Sequence, residues 1–333
     1  MNGIEEQRNK IASRTSARWP MIGRCCRIII WLSIASAFYR EAGTVATVKG
    51  ATVAPSLVGW VPTAQSHLLV NVTLNGHPAL FLIDTGSPFS AVDVRRAGSL
   101  GLTAITGSMR LPKQLLVNSQ EAPVARIKQL IIGSDDLGSG PVVLIDLHSF
   151  PEFRHNIFSR SEVVGILGLD VMQKYSAVID FGRRQLILET QNGLPETLAG
   201  ALSMYHKVPI RVSGTGALEV AGKIGANTYS FIVDTGSSGT VVPLDVAVDN
   251  RLSVRWSKLF SKMINFAPSL VGRTTIPVRT LGNYSFNRSS AYVTSMPLFF
   301  GDLEHPFGGL IGNDFFASTR AIIDIGHRAL YLK

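Results

Sequence analysis

Cysteine is almost missing from this chain. Only Cys25 and Cys26 occur among 333 residues, and both fall within the first 37 positions. A form processed beyond residue 37 carries no thiol, which removes disulfide frameworks and thiolate metal sites from consideration and leaves the redox compartment open. The seven histidines show neither a His-Glu-x-x-His arrangement nor any other close ligand spacing, so no metal or other cofactor is expected. Charge is scarce too, with Asp, Glu, Lys and Arg making up 17% of the residues. The net charge is +9; residues 1–37 hold six Lys/Arg against two Glu, a balance of +4, which leaves +5 spread thinly over the rest. Without a basic cluster, no nucleic-acid partner is expected. No Gly-x-Ser-x-Gly follows a strand pattern, so serine-hydrolase chemistry has little support.

What is present points to strands. Hydrophobic residues make up 46% of the chain, with 31 Gly and 16 Pro, which favours many short strands joined by turns and implies an all-β class. At the start, Arg18, Arg24 and Arg27 precede the apolar run Ile28 to Ile34, and Ala35-Ser36-Ala37 offers small residues for cleavage before Phe38. That is the pattern of a signal peptide, with Met21 as an alternative start; the run is short for a membrane span. An exported protein, periplasmic or extracellular, is expected. Left uncleaved, residues 28–39 would instead act as a membrane tether. The expected organisation is a signal peptide or anchor at 1–37, a leader at 38–66 running over the first lobe, a lobe at 67–190, a turn-rich linker at 191–206 and a second lobe at 207–333.

From His67 the strand pattern is continuous. Leu69 to Leu74 and Ala79 to Ile83 flank the hairpin turn Asn75-Gly76, and the second strand delivers an acid, Asp84, followed at once by Thr85-Gly86-Ser87. Asp93 to Leu102 reads as a short helix, and Asp170 as a cap to another ending near Tyr175. The second half repeats this order. Asp234-Thr235-Gly236-Ser237 stands 150 positions after the first such stretch, while Leu310-Ile311-Gly312 lies 144 after Ile166-Leu167-Gly168. The strands around Asp324 and Leu330 keep that second offset from those around Asp180 and Leu186. Two ends in register mark a duplicated unit, and such a unit can close around a two-fold axis that brings equivalent residues together.

These residues carry a resemblance. The paired Asp-Thr-Gly-Ser stretches, each followed by an apolar-apolar-Gly element, resemble the aspartic peptidases of the retropepsin-like and pepsin-like superfamily from residue 67 to 333. The resemblance implies a bilobal acid-protease fold with two duplicated β-barrel-like lobes, pseudo-two-fold symmetry and a central cleft. It also implies an endopeptidase in which Asp84 and Asp234 activate a water for peptide-bond hydrolysis, with a peptide or protein substrate. A monomer is expected. Elementary electrostatics agrees, because two adjacent carboxylates cannot both ionise cheaply, and the pair holds one proton that the near-identical flanks assign to neither residue.

The neighbours take supporting roles. The Thr85 and Thr235 hydroxyls can bond the opposite lobe's backbone. Gly86 and Gly236 allow close approach and supply N–H groups, while Ser87 and Ser237 are expected to bond the outer carboxylate oxygens. Asp180 and Asp324, near Arg183 and Arg328, read as turn or surface ion pairs, and Asp314 as a helix cap. Residues 94–160 contain no Tyr, so the flap tyrosine usual in pepsins is missing, and the flaps are expected at 103–122 and 253–276. Pro88 also departs from its counterpart Ser238. The rival reading is a peptide-binding protein that keeps the fold without turnover; a further one is a membrane-tethered processing factor.

Overall fold

The computed structural model describes residues 56–63, 66–105, 116–117, 120–150, 153, 162–188, 194–261, 269–296 and 303–333. The proposed signal segment, most of the leader and parts of both expected flaps (106–115, 118–119 and 262–268) lie outside them.

Each half is built on one hairpin. Leu68–Leu74 pairs antiparallel with His77–Ile83 across Asn75-Gly76, both of which take positive φ as the tight turn requires. Asn75 also ties this turn to its surroundings, donating to the Leu100 and Gly101 carbonyls and accepting from the Lys128 and Gln129 N–H groups. Leu218–Ile224 and Asn227–Val233 form the equivalent pair 150 positions later. Gly165–Leu167 then lies parallel to His77–Ile83, and Phe307–Ile311 parallel to Asn227–Val233. Two curled sheets of ten and eight strands result. They fold as a bilobal all-β protein in which each lobe repeats the other.

The glycines that close the apolar-apolar-Gly elements have a steric reason. A Cβ on Gly168 would lie 2.4 Å from the Phe89 carbonyl carbon, and one on Gly312 would lie 2.5 Å from the Gly239 carbonyl carbon. Only a bare backbone lets each strand pass under the loop that follows the acid.

A third sheet joins the halves. Its six strands run Ser56–Gly59, Gln185–Leu188, Val178–Asp180, Ile322–Asp324, Ala329–Leu332 and His206–Pro209. At its centre Val178 faces Asp324, Ile179 faces Ile323 and Asp180 faces Ile322. Ile323 is the repeat equivalent of Ile179, so the two-fold axis passes between them. A single apolar core continues from lobe to lobe, with Phe181 packed on Trp60 at 5.5 Å and on Phe316 at 5.3 Å between ring centroids.

Several sequence expectations need correction here. Residues 56–62 are not a leader: Ser56–Gly59 is an edge strand of the shared sheet, and Val61–Pro62 pairs with Leu68–Leu69. They are too short to show periodicity, and Trp60 is buried in the core with its ring packed on Phe181, far along the chain. Asp93 to Leu102 is a chain of turns rather than a helix, with Ala91–Asp93 a strand before it. Gly98, Ser99 and Gly101 are poor helix formers, and the bonds from Ala97 to Val94 and from Gly101 to Gly98 close four-residue turns. The expected linker contains a helix, Glu196–Leu202, whose buried Leu198 packs against the shared sheet.

One core residue is unusual. Arg279 is 1% exposed, and its guanidinium lies 4.6, 5.0 and 5.8 Å from the ring centroids of Phe286, Phe315 and Phe231. Its nitrogens have no hydrogen-bond partner among the described residues. Burial lowers its pKa to about 10, so it stays charged at neutral pH, held by ring faces in place of water.

Candidate active site

The two acids meet on the axis, at the opposite end from Ile179 and Ile323. Each is delivered by a buried strand and held by the parallel neighbour. The Asp84 N–H donates to the Leu167 carbonyl at 3.1 Å, and the Asp234 N–H to that of Ile311 at 3.0 Å. Asp84 is 8% exposed and Asp234 half-buried. Their carboxyl groups lie close enough for the charge of Asp84 to act on Asp234.

The threonines lock the loops. The Thr85 hydroxyl donates to the Val233 carbonyl at 2.8 Å and accepts from the Thr235 N–H at 3.0 Å. The Thr235 hydroxyl donates to the Ile83 carbonyl at 2.9 Å and accepts from the Thr85 N–H at 3.0 Å. All four bonds cross between lobes and exclude water, since both threonines are fully buried.

The glycines and serines supply donors. Gly86 and Ser87 N–H groups reach Asp84 Oδ1 at 2.8 and 3.1 Å, and those of Gly236 and Ser237 reach Asp234 Oδ1 at 2.9 and 3.2 Å. A Cβ on Gly86 would lie 2.5 Å from Asp234 Oδ1, and one on Gly236 would lie 2.4 Å from Asp84 Cγ, so each glycine makes room for the other lobe's acid. The serine hydroxyls do not bond the carboxylates as expected. Ser87 Oγ donates to the Phe89 carbonyl at 2.8 Å and Ser237 Oγ to that of Gly239 at 2.7 Å, so both tighten the turn beyond the acid.

Asp170 and Asp314 are not helix caps. The caps are Gly168 and Gly312, and each Asp sits in the first turn, reaching back to the catalytic loop. Asp170 Oδ1 accepts from the Ser90 N–H and hydroxyl at 2.8 and 2.7 Å; Asp314 Oδ1 accepts from the Thr240 N–H and hydroxyl at 2.8 and 2.9 Å. Ser90 and Thr240 went unnoticed in the sequence, although they share the 150-position offset. Asp180 is buried and bonded to Arg183, while Asp324 takes His327 rather than Arg328 as its partner. Both face the turns of the shared sheet.

The described residues also bring Asp93, His148 and Glu162 within reach of one cation. Arg95 already pairs with Asp93 at 2.8 Å, and Arg96 lies 3.6 Å from Glu162. Both carboxylates of this group thus have a guanidinium partner.

Electrostatics singles out the dyad. Burial pushes the Asp84 carboxyl up, against the pull of its N–H donors. Burial and then the charge of Asp84 push Asp234 well above the usual carboxylate range. One proton therefore stays on the pair where isolated carboxyls would have lost theirs. The sign for stability follows. Carboxyls that hold protons more tightly when folded stabilise the fold below the unfolded value of about 4, and that contribution is lost as pH rises through their raised values. Asp170, also raised by burial, adds to the same trend. The stability gain of Asp234→Asn over wild type, measured by urea unfolding, is expected to grow from pH about 4 towards neutrality; a pH-independent difference would contradict the raised values.

A family model described as aspartyl protease matches residues 70–171 and 219–315, one segment in each lobe, and each segment contains one Asp-Thr-Gly-Ser stretch. No curated protein matches the chain.

Proposed function

The chain belongs to the aspartyl protease family, and from that premise we propose that it is an active endopeptidase whose catalytic residues are Asp84 and Asp234. The observation that carries this reading is the pair of carboxyls facing each other on the axis, each packed against the other loop's glycine and served by two N–H donors of its own loop. A pure binding protein gains nothing from two facing acids that raise each other's cost of ionisation.

The chemistry needs no side-chain nucleophile. A water between the carboxyls attacks the peptide carbonyl carbon and gives its proton to the ionised Asp, while the protonated Asp hydrogen-bonds the carbonyl oxygen. The tetrahedral intermediate collapses by breaking the C–N bond as a proton passes to the amine. A carboxylic acid and an amine leave, and the pair is back to one proton. The buried threonine bonds keep both carboxyls in place through the cycle, which is the preorganisation that such a reaction requires.

The substrate is a peptide segment in extended form, and the single chain supplies both acids, which fits a monomer. Export rests on the run at residues 28–34 alone. The test is digestion of an unfolded peptide mixture by the purified chain across acid and neutral pH, with products read by mass spectrometry. Cleavage that a statine-type transition-state analogue blocks supports the proposal. An intact mixture at every pH, with the analogue still bound, would favour the peptide-binding reading.

A further inference from the structure

The lobes differ at one buried position beneath the dyad. The helices that follow the Gly168 and Gly312 bends, Leu169–Lys174 and Asn313–Ser318, begin with repeat-equivalent residues that are 2% and 1% exposed. Their backbones behave alike, the Leu169 N–H donating to the Ser87 carbonyl at 2.8 Å and the Asn313 N–H to that of Ser237 at 3.0 Å. Their side chains do not. Asn313 Nδ2 donates to the Thr235 carbonyl at 2.7 Å, whereas Leu169 has no donor to offer Thr85. Leucine shows that an apolar residue starts this helix without difficulty. The amide, by contrast, leaves its Oδ1 buried with no partner among the described residues, an arrangement that costs stability.

What the amide gains lies one atom further on. The Thr235 carbonyl belongs to the same peptide as the Gly236 N–H, and a hydrogen bond accepted by the carbonyl polarises the peptide and strengthens its N–H as a donor. That N–H reaches Asp234 Oδ1 at 2.9 Å. Each acid receives two N–H donors, Gly86 and Ser87 at Asp84 and Gly236 and Ser237 at Asp234, but only the Thr235–Gly236 peptide carries a side-chain bond on its carbonyl. Charge on the pair is stabilised where a donor is strengthened.

We propose that Asn313 is a positioning residue for the dyad, holding and polarising the Thr235–Gly236 peptide so that the pair ionises more readily. The inference builds on the reading of the pair as an acid–base dyad, and it is tested without requiring turnover. The full chain is labelled with 13C at the aspartate carboxyls, and the dyad signals are assigned with Asp84→Asn and Asp234→Asn. In Asn313→Leu the first ionisation is expected to move up by roughly half a pH unit. The acidic limb of kcat/KM should follow it, with kcat about threefold lower and KM nearly unchanged. A folded Asn313→Leu chain that loses thermal stability but keeps the wild-type titration shows that the amide is only a core contact. A chain that titrates as expected yet leaves peptides intact fails as a peptidase and leaves this inference standing.

Discussion

Asp84→Asn and Asp234→Asn are each expected to lower kcat/KM for peptide cleavage by at least about 10⁴-fold, because either change removes one of the two partners in the proton exchange. With one carboxyl left, the pair can no longer hold an acid and a base together, and a bound water loses the group that would take its proton. Folding should survive both substitutions. An amide oxygen can still accept from the Gly86 and Ser87 or Gly236 and Ser237 N–H groups, and the like-charge term that raises Asp234 disappears. The double variant should be no worse than either single one, since the two acids act as a unit. Turnover that persists in either single variant, in protein free of wild-type contamination, would sink the mechanism.

Thr85→Val and Thr235→Val should have the largest effects on stability. Each valine keeps the shape but strands an N–H and a carbonyl of the opposite lobe, at the carbonyl of Val233 or Ile83 and at the N–H of Thr235 or Thr85. Both positions are sealed from water, so each orphaned group costs about 1–3 kcal/mol, or about 2–6 kcal/mol per substitution. Activity should fall further than stability alone explains, because the loops carrying the acids lose their shared anchor. Thr85→Ser, which keeps the hydroxyl, should recover most of both losses. Equal urea midpoints for wild type and Thr85→Val would show that the crossed bonds carry no stability.

Much of this arrangement was legible in the sequence, because a duplicated chain prints its symmetry as constant offsets. The 150-position and 144-position registers located both acids, both threonines and the apolar-apolar-Gly elements before any coordinate was considered. The same registers held Ser90 with Thr240 and Asp170 with Asp314, but those pairs looked like ordinary turn and cap residues. Their bond runs between segments about 80 positions apart, and no local pattern marks such a partner. The serine hydroxyls were misread for a similar reason. Ser87 and Ser237 lie close to the acids along the chain, yet the turn aims their hydroxyls at their own backbone. Residues 56–62 escaped notice because an edge strand of four residues has no periodicity, and its partner, Gln185–Leu188, lies far along the chain.

The sequence by itself determined that two equivalent units exist, that each carries one acid at the end of a buried strand, and that no thiol can serve beyond residue 26. Those are properties of composition and spacing, which need no third dimension. Only the tertiary structure decided how the two units close: a shared sheet with Ile179 against Ile323 at one end of the axis, and crossed threonine bonds at the other. It also decided that the halves are unequal. A symmetric pattern of residues becomes an asymmetric site because Asn313 stands where its repeat equivalent is Leu169, and a hydrogen bond under one acid has no counterpart under the other. Repetition in a sequence specifies equivalence, but the charge on each acid depends on every donor that packing brings to it.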